Sequence, residues 1–115
     1  MRDRIDQVNE LLKRELAQAI IQTVEVPAGV LITVARVKTS RDLHYATVWV
    51  SVLPYDEADA LCKILQRKTR KLQIELASRL SLKFTPKIEF RLDDTEEQAD
   101  KIESLIDYVA SQYLE

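Results

Sequence analysis

Apolar residues recur along this chain with two different periods, and the places where one gives way to the other mark out its helices and strands. The opening segment carries Ile5, Val8, Leu12, Leu16 and Ile20 at steps of three and four. That spacing lines one face of a helix of about five turns and predicts helix over about residues 3–22. Pro27-Ala28-Gly29 breaks the pattern, because proline lacks an amide donor and glycine accepts backbone angles other residues avoid. Residues 30–38 and 45–53 are then rich in Val, Ile, Thr, Tyr and Trp, with the polar stretch Thr39-Ser40-Arg41-Asp42-Leu43-His44 between them. This reads as an antiparallel hairpin. In the second strand Ala46, Val48, Val50 and Val52 share one face, and Tyr45, Thr47, Trp49 and Ser51 share the other.

After Pro54 the helical period returns near Asp56, with Leu61, Ile64, Leu65, Leu72, Leu76 and Leu80 on one stripe. Lys68 interrupts that stripe, so either the helix bends at 68–70 or the lysine stem lies flat and carries its ammonium out to water. Pro86 introduces a short third strand, Lys87 to Leu92, in which Ile88, Phe90 and Leu92 alternate with Lys87, Glu89 and Arg91. Thr95 and Gln98 have capping-box spacing, and Ile102, Leu105, Ile106 and Val109 predict a last helix over about 95–113. The order is helix, strand, strand, helix, strand, helix. The expected fold class is α+β, a three-stranded sheet with helices on one face and the last helix closing an edge or part of the second face.

A length of 115 residues suits a single domain spanning residues 1–115, and 46% hydrophobic residues supply its core. One glycine leaves no place for a phosphate-cradling glycine-rich loop. Cys62 stands alone, which excludes an internal disulfide or a thiolate metal cluster and fits a reducing cytosol. The segment after Met1 lacks the apolar core of a signal peptide, and no apolar run approaches the roughly 20 residues of a membrane span. A soluble, cytoplasmic protein is expected, with no membrane partner.

Catalysis finds little support. His44, the only histidine, shares a predicted turn with Ser40 and Asp42, and three triad members so close along one turn rarely converge. Cys62 has no identifiable base and reads as a small helix hydrophobe, and one His with one Cys does not fill a zinc site. No catalytic residue, metal site, cofactor or small-molecule substrate is expected.

Charge is more informative. The net charge of −2 conceals segments of −2 (residues 1–62), +7 (63–91) and −7 (93–115). Within the basic block Lys63, Arg67, Arg70 and Lys71 recur at steps of three and four along one helix flank, Arg79 and Lys83 lie further on, and Lys87 and Arg91 project from the third strand. Cations so spaced can track phosphates, each contact releasing counterions; the plainer reading is a solvated helix face, or a block neutralised by the acidic tail. Tyr45 and Trp49 on the outer sheet face have the chemistry to stack bases, although a last helix with an apolar stripe also needs a surface to pack on.

The sequence resembles the bacterial ribosome-binding factor A family. The resemblance is carried by Arg4-Ile5 with Leu12-Lys13-Arg14-Glu15-Leu16 and Ile20, and by Thr33-Val34 through Val37. Its most specific stretch is Ser40-Arg41-Asp42-Leu43 followed by Tyr45 to Leu53. Leu76, Leu80, Leu82-Lys83, Pro86, Ile88-Glu89-Phe90, Asp93-Asp94, Lys101-Ile102 and Leu105-Ile106 extend it over nearly the whole chain. It implies a KH-like (type II) fold and a non-enzymatic, monomeric factor. Such a factor would bind the immature small (30S) ribosomal subunit and its 16S rRNA near the decoding region and assist late maturation and rRNA processing. Where the family has an Ala-x-Gly kink between two helices, this chain has Lys68-Thr69-Arg70, with two cations and no glycine. RNA contact is therefore expected first from Lys63, Arg67, Lys68, Arg70 and Lys71, then from Arg79 and Lys83, with Arg41 added by its match to the family's turn. The competing readings are a protein-interaction module using the open sheet face and acidic last helix, or a KH-like protein for other RNA.

Overall fold

The computed structural model describes residues 3–93, so the helix expected over about 95–113 lies outside the described residues. The elements are α1 (Arg4–Thr23), β1 (Leu31–Thr39), β2 (Tyr45–Leu53), a 3-10 turn (Tyr55–Glu57), α2 (Ala58–Arg67), α3 (Thr69–Arg79) and β3 (Lys87–Leu92).

Asp3 starts α1 by accepting the Asp6 N–H at 2.9 Å, which satisfies one of the amides a helix end leaves unpaired. Val8, Leu12, Leu16, Ala19 and Ile20 form its buried stripe. The connection to β1 passes through Gly29 at φ +82°, a backbone angle that suits a residue without Cβ.

The sheet has the order β1-β2-β3, with β1 and β2 antiparallel and β2 and β3 parallel. Parallel neighbours need a crossover, and α2 with α3 supplies it. The described helices pack on one sheet face, where Ala46, Val48, Val50, Ile88 and Phe90 meet Leu12, Leu16, Leu65, Leu72 and Leu76. The simple two-residue alternation fails in β1, because Ile32 and Val34 face inward and the next inward place would fall to Arg36. The register shifts between Val34 and Arg36, so Ala35 is an extra residue that turns Arg36 outward and Val37 inward. Arg36 then lies over the Trp49 ring, its guanidinium carbon 4.1 Å from the centroid.

The long helix expected from near Asp56 is two helices. It starts as a 3-10 turn, is interrupted at Lys68 (φ −92°, ψ 4°) and ends before Leu80, whose backbone is extended. The interruption falls in the 68–70 window where the stripe is broken by a lysine.

Gln73 fixes β3 against α3. Its Nε2 donates to the Pro86 carbonyl at 2.7 Å and its Oε1 accepts the Ile88 N–H at 3.0 Å, so one side chain satisfies a strand-start donor and acceptor that have no neighbouring strand among the described residues. Gln73→Leu keeps the side-chain volume and leaves both groups unpaired, and is expected to lower unfolding free energy by about 2 kcal/mol in urea titration. A loss below about 0.5 kcal/mol, the ordinary range for surface changes, would show that water replaces the clamp.

Candidate nucleic-acid interface

Lys68 ends α2 with its own N–H bonded to the Ile64 carbonyl at 3.0 Å, and its carbonyl accepts the Leu72 N–H at 2.9 Å. Between these bonds the Thr69 hydroxyl donates to the Leu65 carbonyl at 3.0 Å, taking up an acceptor at the end of α2. The interruption is thus stabilised by a side-chain hydroxyl rather than by a glycine. No side chain caps the first amides of α3. The α2–α3 junction, only one residue long, lies beside four cationic side chains.

Those cations surround a common space. Arg67, Lys68, Arg70 and Lys71 line an open groove of about 880 Å3, completed by Ile64 and by Thr23 and Glu25 beyond the end of α1. Arg67, Arg70 and Lys71 are exposed, and Lys68 is half-buried. The stems of Leu65 and Leu72, fully buried on either side of the interruption, hold both helices to the sheet while the cations project from the other flank. Four positive groups against the single carboxylate of Glu25 make this groove a place for a polyanion.

The remaining expected contacts lie elsewhere. Lys63 is exposed one turn before Arg67 and does not line the groove. Arg79 is half-buried between two acids, with Nε 3.0 Å from Glu75 Oε1 and Nη1 3.6 Å from Glu15 Oε2, so its charge is spent on joining α3 to α1. Lys83 follows α3 with its ammonium 5.7 Å from the Phe84 ring centroid, and Arg41 is exposed in the hairpin turn. Thr23 and Glu25 carry no sequence signal for the groove, because only the packing of α1 brings them beside α2.

Ser40, Asp42 and His44 build the hairpin turn. The Ser40 hydroxyl donates to Asp42 Oδ1 at 2.6 Å, the His44 N–H donates to the same oxygen at 3.0 Å, and the Tyr45 N–H donates to Ser40 Oγ at 3.0 Å. The Ser40 and His44 hydrogen bonds hold the Asp42 carboxyl below the usual carboxylate range. Cys62 is buried on α2, and burial, helped by the Asp59 charge, pushes its thiol up, away from the reactive thiolate.

A three-stranded mixed sheet with helices on one face, in the order α-β-β-α-α-β, defines a KH-like domain, and the cation-lined groove at the junction of its crossover helices is suited to nucleic acid. The sequence model of the ribosome-binding factor A family matches residues 4–106, and the chain belongs to that family. Ribosome-binding factor A of Neisseria meningitidis is 34% identical over 109 residues, which is 95% of this chain and 89% of the relative. The crystal structure of ribosome-binding factor A from Thermus thermophilus superposes with a TM-score of 0.69 at 28% identity, covering 78% of this chain and 97% of that one. A homology model of the Thermus thermophilus factor, fitted into a cryo-EM map of its complex with the 30S subunit, superposes with a TM-score of 0.62. It is 32% identical, over 75% of this chain and 91% of the other.

Proposed function

We propose that this protein is a ribosome assembly factor that docks on the immature small (30S) ribosomal subunit, contacts its 16S rRNA and leaves when maturation is complete. The relative fitted to a 30S complex supports the target. The observation that carries the mode of binding is the groove at the α2–α3 junction, which Arg67, Lys68, Arg70 and Lys71 line together. Its cationic lining supports recognition of phosphate. The factor acts as a non-enzymatic monomer in the cytoplasm. Among the described residues no helix is long and apolar enough to cross a membrane. Lys63 extends the cationic flank, and Arg41 and Lys83 lie outside the groove as separate contacts, while the ion pairs of Arg79 make its part in holding α1 to α3 the larger one.

Sedimentation of the purified protein with immature and mature small subunits tests this reading. Preferential co-sedimentation with immature particles is expected, with log affinity against log salt falling at a slope of about −4, from four to six phosphate contacts. Equal binding to both particles, or a slope near zero, would remove the maturation-factor reading or the phosphate mechanism respectively.

A further inference from the structure

The outer face of the sheet carries aromatic and cationic side chains that the groove does not use. Trp49 is not its open platform, because the Arg36 guanidinium already covers that ring. Tyr45 and Phe84 are different: they are 61% and 69% exposed. Single exposed hydrophobics are ordinary, but these two rings line one depression together with Lys87.

Their surroundings narrow the partner. Tyr45 pairs with Lys87 across β2 and β3, and both residues line two shallow depressions. One, of about 270 Å3, runs along the β2–β3 seam past Thr47 and Glu89. The other, of about 340 Å3, is walled by Phe84, His44 and Leu43. The His44 and Tyr45 rings are tilted at 53° with centroids 6.5 Å apart, and the Lys83 ammonium lies 5.7 Å from the Phe84 centroid. Exposed rings interleaved with ammonium groups fit a strand whose bases are splayed from a phosphate backbone. They fit duplex RNA poorly, because its bases are already stacked. The chain continues past Asp93 from the far end of β3, roughly 17 Å along the strand from Lys87.

We infer that Tyr45 and Phe84, with Lys83 and Lys87, form a second RNA site that stacks unpaired bases. It rests on the RNA-binding reading above but uses a different surface. The groove engages phosphates of any helix or loop. The aromatic site selects nucleotides that are not base-paired, and would thereby distinguish an incompletely folded rRNA segment from a finished one.

The test compares a short labelled uridine-rich single strand and an RNA hairpin duplex as probes in fluorescence anisotropy. Both are titrated with the full chain, with the Tyr45→Ala/Phe84→Ala pair, with Tyr45→Phe/Phe84→Tyr, and with the groove variant Arg67→Glu/Arg70→Glu/Lys71→Glu. Loss of two stacking rings is expected to weaken single-strand binding about tenfold or more while duplex binding stays within about twofold, and the aromatic-for-aromatic exchange restores it. The groove variant is expected to weaken both probes. Unchanged single-strand binding by the alanine pair, or an equal loss on both probes, overturns the second site. A groove variant with normal binding beside an alanine pair that loses the single strand would sink the groove reading and leave this one standing. Because both rings are exposed, the alanine pair is expected to melt with the parent, and Trp49 fluorescence provides that check.

Discussion

Arg67→Glu/Arg70→Glu/Lys71→Glu is expected to weaken binding to immature small subunits by about 100-fold or more at low salt and to flatten the salt dependence by roughly three units of log–log slope. Each substitution removes one phosphate contact and puts a carboxylate in its place, so the loss exceeds that of alanine. The fold should tolerate the change, since all three side chains are exposed and, among the described residues, none is ion-paired. Glutamates at 70 and 71 stand in the first turn of α3, where the helix dipole favours them, which offsets the less favourable glutamate at the end of α2. A melting temperature within a few degrees of the parent together with unchanged particle binding would remove the groove from the RNA surface. Retained affinity with a flattened slope would show that contacts other than phosphate hold the complex.

Leu65→Ala should have the largest effect on stability. Leu65 is fully buried in the last turn of α2, in the core that joins α1, the sheet and both crossover helices. Deleting its side chain loses apolar burial and leaves a cavity, at a cost of about 3 kcal/mol, which for a domain of this size lowers Tm by roughly 15 °C. Ile74→Ala on α3 is the matched control: Ile74 is 63% exposed, so its truncation is expected to change stability by no more than about 0.5 kcal/mol. Thermal unfolding of the two variants measures the difference. Equal effects would mean that the crossover helices are not anchored through their buried stripe, and the groove built on their junction would lose its support.

Much of the frame was legible because periodicity is a local property of the chain. The hairpin strand Tyr45–Leu53 and the strand Lys87–Leu92 match their expected bounds, and α1 differs by one residue at each end, because alternation and three-four spacing require only neighbouring residues to state which face is buried. The break at Lys68 was marked by one charged residue on an apolar stripe. The bulge at Ala35 was not legible, since Arg36 reads as inward by simple alternation, and only pairing with β2 shows that an extra residue turns it out onto Trp49. Charge counts along the chain marked the basic block without distinguishing its members. Arg79 and Arg70 look alike in sequence, yet one is held between Glu15 and Glu75 and the other opens onto the groove.

The amino-acid sequence by itself determined the order of the described elements apart from the division of the crossover helix in two, the inward faces of α1, β2 and β3, the place of the helix break and the family. The tertiary structure alone decided that β3 runs parallel to β2, that Gln73 closes the crossover onto it, that Thr23 and Glu25 complete the groove, and that Tyr45 and Phe84 lie together beside Lys87. The physical reason is range. Burial periodicity and capping act between residues a few positions apart, whereas a groove or a stacking surface is made by side chains that become neighbours only after the core has set how the helices lie on the sheet.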